Sequence, residues 1–200
     1  MKSLSKTTQH DDLVTLKYLN DNIAKIIRGG ISVPIILKNL VKNGDFSNGS
    51  ENWKLPNGVI SNGKLKIKNL GEPSNQRITA SKGNKIYLYA RAEAVKNNAN
   101  FSYEFNIKLA TQTDIHNNYR AVDNKNGSLS QIFESPIDDP LVVFNGWQGY
   151  GFEVEYYFDD IVAIDLTASF GKDQEPTKAQ MDRLIERIGY FETTQINILI

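Results

Sequence analysis

The sequence predicts a mainly β fold: an antiparallel β-sandwich of jelly-roll type, with an N-terminal helix and a short C-terminal helix. Three observations lead there. Apolar and polar residues alternate with period two through the middle of the chain, Asn-Gly pairs punctuate the same region, and helical spacing of apolar residues is confined to the two ends.

The first helix is expected from Asp11 and Asp12 to Arg28. Leu13, Leu16, Leu19, Ile23 and Ile26 fall at spacings of three and four, the aspartates supply a cap at the positive end of the helix dipole, and Gly29-Gly30 stops it. So narrow a stripe fits either a coiled-coil seam, where successive isoleucines favour three strands, or a helix docked on its own domain. Strands follow. Leu65 and Ile67 alternate with Lys64, Lys66 and Lys68, and Phe101, Tyr103, Phe105, Ile107 and Leu109 alternate with polar residues. Phe152, Val154, Tyr156 and Phe158 share a parity opposite to Glu153 and Glu155, and Ile161 to Leu166 is apolar almost throughout. Asn43-Gly44, Asn48-Gly49, Asn57-Gly58 and Asn62-Gly63 read as turns. The C-terminal helix is expected from Pro176 to Arg187, with the proline in its first turn and Gly189 at its end. Gln195 to Ile200 reads as a strand whose apolar edge needs a cover. Three segments result: 1–38 helical, 39–170 sandwich, and 171–200 helix with a strand-like tail.

Composition excludes several functional classes. The 200 residues carry 23 Lys+Arg and 23 Asp+Glu, so the chain lacks the overall positive field of a nucleic-acid backbone binder. With no cysteine there is no disulfide, zinc–thiolate site or thiol nucleophile. Met1 leads into a polar segment, and no apolar run approaches about 18 residues, so neither a secretion signal nor a membrane span is expected.

The run Asn39 to Gly49 followed by Trp53 resembles the opening strand of family 4/9-type carbohydrate-binding modules, and Tyr157-Phe158-Asp159-Asp160-Ile161 resembles their closing strand. Ile164 to Gly171 with Glu175-Pro176-Thr177 is similar to a segment that follows such jelly rolls in bacteriophage tail and other minor virion proteins. The resemblance implies a non-enzymatic virion structural protein, part of a head, tail or baseplate fibre. Such a protein would form a homotrimer through the stripe Leu13, Leu16, Leu19, Ile23 and Ile26, contact other virion proteins, and adhere to host cell-surface polysaccharide. The alternative from another class is a free-standing carbohydrate-binding module. The family also implies structural calcium, here through Asp45 and Asp160, although Ser47 stands where a calcium-binding glutamate often follows the Asn-Gly-x-Phe motif.

Strand parity places Asp160 on the apolar side, where an ion needs a partner; calcium or capped backbone amides would serve. For sugar recognition, Tyr87, Tyr89 and Arg91 share one parity opposite Ile86, Leu88, Ala90 and Ala92, and form either a stacking platform or a face covered by a terminal element or neighbouring subunit. Trp147 and Tyr150, set among glycines, suit either a binding loop or a turn anchored by a buried tryptophan. Trp53 reads as core. Glu153 and Glu155 lie two apart on one strand face, but no pocket or partner separates their pKa values, so they read as a solvated pair rather than as glycosidase carboxylates. His10 and His116 have no metal-binding spacing, and no phosphate loop or nucleophile elbow appears. No catalytic residue is assigned.

Overall fold

Alternating apolar residues build two facing sheets in a computed structural model that describes residues 13–14, 32–68, 73–96, 103–114, 121–123, 126–148 and 154–199. In chain order the strands are β1 (Leu13–Val14), β2 (Ser32–Lys38), β3 (Gly58–Ser61), β4 (Lys64–Lys68), β5 (Ser74–Arg77), β6 (Lys85–Lys96), β7 (Tyr103–Ala110), β8 (Ala121–Asp123), β9 (Gly127–Glu134), β10 (Leu141–Gln148) and β11 (Val154–Asp165). Helices α1 (Leu166–Phe170) and α2 (Lys178–Ile188) and strand β12 (Thr193–Leu199) follow. The five-stranded sheet runs β3-β4-β11-β6-β9 and the four-stranded sheet β5-β10-β7-β8, with antiparallel neighbours in both. The antiparallel sandwich is the fold class the sequence predicts. Asn62 and Gly63 join β3 to β4 with φ of 52° and 71°, the two positive values a tight hairpin turn needs.

Between the sheets lies an apolar core with an aromatic centre. Phe144 and Phe158 meet at 5.4 Å between ring centroids, and Phe105 meets Phe158 at 5.7 Å, both edge-on. Each buried phenylalanine contributes roughly 2 kcal/mol through area removed from water. Trp53 is core, as expected: it packs on Phe46 and Phe144, and its indole N–H donates to the Asn43 carbonyl at 3.1 Å.

A second core lies on the outer face of the five-stranded sheet. Tyr87, Tyr89, Val162 and Ile164 point outward from β6 and β11 and are covered by Met181, Leu184 and Ile185 of α2, Leu37 of β2 and Ile196 of β12. The run from Ile161 to Leu166 is apolar because β11 is buried on both faces there: Ile161 and Ala163 face the sandwich, Val162 and Ile164 the cap.

Capping holds the cap's helices at defined points. Asp165 accepts the Ala168 amide at the start of α1, and Gln180 accepts the amide N–H and hydroxyl of Thr177 at the start of α2. Pro176 therefore precedes the cap of α2 rather than occupying its first turn. Gly189 closes α2, its N–H donating to the Ile185 carbonyl.

Two expectations need correction. Leu13 and Val14 form a strand parallel to Asn197 and Ile198, not the start of a helix; β12's backbone groups on that side find a pairing partner there. Leu16, Leu19, Ile23 and Ile26 lie outside the described residues. The cover that the β12 edge needs is supplied by β1 and β2, which flank it. The Asn145-Gly146-Trp147-Gln148 segment is strand β10, not a loop. Gly146 serves close packing: a Cβ there would fall 2.3 Å from Cδ2 of Tyr156.

Two outcomes are expected for the cap. Asp182 accepts from the Tyr87 hydroxyl (2.9 Å), the Ser130 hydroxyl (2.5 Å) and Lys178 (2.7 Å), so Asp182→Ala strands two hydroxyls and should destabilise the chain by about 2–3 kcal/mol. Chemical denaturation measures this, and an unchanged midpoint would refute the anchoring role. Burial pushes the Glu175 carboxyl up, but hydrogen bonds from backbone, Thr167 and Lys85 outweigh it and hold the pKa below the ordinary 4.5. A depressed carboxylate stabilises the fold above its unfolded pKa, and that stability disappears as pH falls through the folded value. The stability gap between wild type and Glu175→Gln should therefore close below pH 4.5, and a gap constant with pH contradicts it.

Candidate functional site

The tyrosine face predicted to stack on sugar is not open. Tyr87 is 0% and Tyr89 4% exposed beneath α2, and Tyr89's hydroxyl pairs with Ser128 at 3.2 Å. Burial, followed by the charge of Asp182, drives the Tyr87 phenol far above its ordinary pKa. Of the two readings of this face, the structure takes the one in which a terminal element covers it, and the Tyr87 hydroxyl, donating to Asp182, holds the cap on.

Arg91 continues the same face past the end of the cap. Its side chain is 62% exposed, and Nε donates to Asp160 at 3.1 Å. It borders a depression of about 440 Å³ lined also by Lys64, Ser128, Tyr157 and Asp159. Charges around it pair among themselves: Lys64 with Glu93 at 3.4 Å, and Lys66 with Glu155 at 2.8 Å, while Lys66 also lies over the Tyr157 ring. Burial, partly offset by a hydrogen bond from the Asp160 amide, pushes the Asp159 carboxyl up. Trp147 sits on the other sheet, its backbone paired with Glu104; its side chain and all of Tyr150 lie outside the described residues. Of the five proposed sugar contacts, then, Tyr87 and Tyr89 are covered, and Arg91 lies on the opposite sheet from the Trp147 backbone.

Each proposed calcium donor is engaged by another partner. The opening segment and β11 do meet, since the Ile161 amide donates to the Gly44 carbonyl at 2.9 Å. Asp45, however, accepts from the amide and hydroxyl of Ser47, and Asp160 faces Arg91. Parity fails at Asp160 because it is the extra residue of a β-bulge, with φ of 50°, where the register shifts between Asp159 and Val162. The bulge turns the carboxylate away from the apolar side. Among the described residues no group of three or more acids or histidines is placed to hold a metal. Glu155 is tied to Lys66 and to the Tyr157 hydroxyl instead of being a solvated carboxylate, and Glu153 lies outside the described residues.

Sequence reasoning missed a larger feature. A groove of about 900 Å³ runs along β5, the edge of the four-stranded sheet, walled by the segment from Lys38 to Lys54 and by Glu192 and Thr193 at the start of β12. Hydrogen bonds fix its walls. Gln76 grips Lys42 from both sides, its Oε1 accepting the Lys42 amide at 2.7 Å and its Nε2 donating to the Lys42 carbonyl at 2.9 Å. The backbones of Lys54 and Asn75 exchange two hydrogen bonds, at 2.9 and 3.0 Å. Asn39 donates to the Ile161 carbonyl while its own carbonyl oxygen accepts the amides of Val41 and Ala163, which ties the wall to β11. The outer face of the sheet continues the groove, with Arg77, Leu141 and Ala110 in one cross-strand row and Asn75, Val143 and Lys108 in the next. Lys108 donates to the Asp114 carbonyl, and burial lowers its pKa. Five separate chain segments make this groove, so no single sequence window carries its signal.

No family model and no curated protein matches the chain. Solved structures with a similar arrangement include a CBM4 carbohydrate-binding module, at 14% identity and a TM-score of 0.42, covering 62% of this chain and 98% of that one. Another is the CBM22-1–GH10 portion of Clostridium thermocellum endo-1,4-β-D-xylanase 10B complexed with xylohexaose, at 11% identity and a TM-score of 0.43, covering 66% of this chain and 29% of that one. The enzymatically active domain of bacteriophage CBA120 tailspike protein 4 follows, at 14% identity and a TM-score of 0.36, covering 62% of this chain and 21% of that one.

The grip on Lys42 has a measurable consequence. Gln76→Ala leaves a backbone amide and carbonyl without their partner, so it should cost about 1–2 kcal/mol and speed hydrogen exchange at the Lys42 amide. Unchanged exchange there would show that Gln76 does not hold the wall.

Proposed function

We propose that the chain is a non-catalytic glycan-binding module that takes an extended saccharide along the β5 groove. The observation that carries this is the groove itself: about 900 Å³, within the usual range for ligand sites, and lined by polar side chains on a rigid sheet edge. Asn52, Thr79, Gln112 and Thr193 offer donors and acceptors of the kind that fix sugar hydroxyls. Glu51 and Glu192 are the carboxylates among its lining residues.

This favours the free-standing module over the virion fibre. A trimeric fibre rests on the resemblance and on an N-terminal stripe of which only Leu13 is described, and Leu13 belongs to a strand. The groove belongs to the single chain.

Affinity electrophoresis against a panel of soluble polysaccharides tests the reading. At least one polymer should retard the chain, and Gln112→Ala or Asn52→Gly should weaken that retention roughly fivefold, the value of about one hydrogen bond. Glycine suits the φ of 67° at position 52. Arg91→Ala, on the opposite sheet, should leave retention unchanged. Indifference to every polymer, or sensitivity to Arg91→Ala alone, refutes the groove as the site.

A further inference from the structure

We infer that the groove selects an anionic glycan, a polysaccharide bearing carboxylate or sulfate groups along its chain. This rests on the glycan-binding reading and names the substrate class within it.

The whole chain has a formal net charge of +0, yet the groove gathers Lys38, Lys42, Lys54 and Arg77 against Glu51 and Glu192. Four lysines elsewhere are neutralised by carboxylates and, among the described residues, those of the groove are not. Lys64, Lys66, Lys85 and Lys178 each pair with a carboxylate at 2.7–3.4 Å. Among the described residues, Lys38, Lys42 and Lys54 pair with none.

Three amides in the lining are already committed. Both polar atoms of the Gln76 side chain serve Lys42, both of Asn39 serve Ile161, Val41 and Ala163, and Asn43 donates to the carbonyls of Gly49 and Glu51 while accepting the Asn48 amide. Those groups build the wall, so its donors to a ligand include the ammonium groups together with Asn52 and Gln112. The lysine backbones are held in advance. Lys42 is gripped by Gln76, Lys54 is bridged to Asn75, and Lys38 is paired with Thr193 in the β2–β12 ribbon. Three cations on three fixed segments along one trough match a polymer with repeating negative charge. An ordered backbone lowers the entropy cost of binding it.

The test compares retention of the full chain by polygalacturonate, a sulfated polysaccharide, a neutral xylan and a single-stranded oligonucleotide, each at about 50 mM and about 500 mM salt, conditions that span weak to strong screening. Either acidic polysaccharide should bind at least tenfold more tightly than xylan, and that advantage should vanish at the higher salt. Which of the two binds better assigns carboxylate or sulfate as the charged group. The double variant Lys42→Gln/Lys54→Gln should lose roughly tenfold toward the acidic polymer while keeping the wild-type melting temperature, because both side chains are exposed and only their backbones hold the fold. Equal, salt-insensitive binding of xylan would overturn the anionic assignment and leave the glycan reading standing. Equal binding of the oligonucleotide would overturn it by making the groove a general polyanion site. Binding of no polymer at all would remove both readings.

Discussion

Phe158 and Ile161 both face the sandwich interior although they lie three positions apart, so β11 must absorb one extra residue between them. Asp160 supplies it in a left-handed conformation that an aspartate tolerates better than a β-branched residue, and the Asp159 carboxylate accepts its amide. Without this bulge, strand parity would place Ile161 and Ala163 outside and Val162 and Ile164 inside. With it, the strand meets the sandwich core through one set of residues and the cap through the other. Both cores therefore depend on how β11 is threaded.

The cap joins the two ends of the described chain. β2 and β12 pair antiparallel over seven residues, α1 and α2 lie between β11 and β12 in sequence, and all four pack against the outer tyrosines of β6. Tyr87 sits there with a hydroxyl that needs a partner, and Asp182 on α2 provides it. An apolar surface buried around a satisfied polar anchor specifies one docking position for the helix, where an all-apolar face would allow sliding. The same arrangement carries Lys38 and Glu192 to the end of the β5 groove, so closing the cap also completes the groove wall.

Most of the amides along that wall act as scaffolding. Asn39, Asn43 and Gln76 spend their hydrogen bonds on backbone groups of a segment that has almost no regular structure, doing for it what strand pairing does elsewhere. Irregular chain can be held rigid in this way, and rigidity lets exposed lysines act as a fixed array. The cations are separated from the scaffold in chemistry but not in position: Lys42 is both the residue gripped and a residue presented.

Alternation and turn chemistry were legible from the sequence because they are local: Leu65 and Ile67 in β4, Phe105, Ile107 and Leu109 in β7, and the Asn62-Gly63 hairpin form as read, as does the helix ending at Gly189. These features follow from side-chain periodicity and backbone preference within a few residues. Parity also separated Tyr87 and Tyr89 from Ile86 and Leu88 correctly, but could not say whether the tyrosine face meets a ligand or a helix, since either would bury aromatics equally well. Asp160 was misplaced because a bulge shifts parity without changing composition. Leu13 and Val14 pair with a strand more than 180 residues away in the sequence, and the groove draws on five segments that become neighbours only on folding. The sequence alone therefore determined the sandwich and its punctuation, through local periodicity, whereas tertiary structure decided which faces stay open, because exposure depends on what the rest of the chain packs against them.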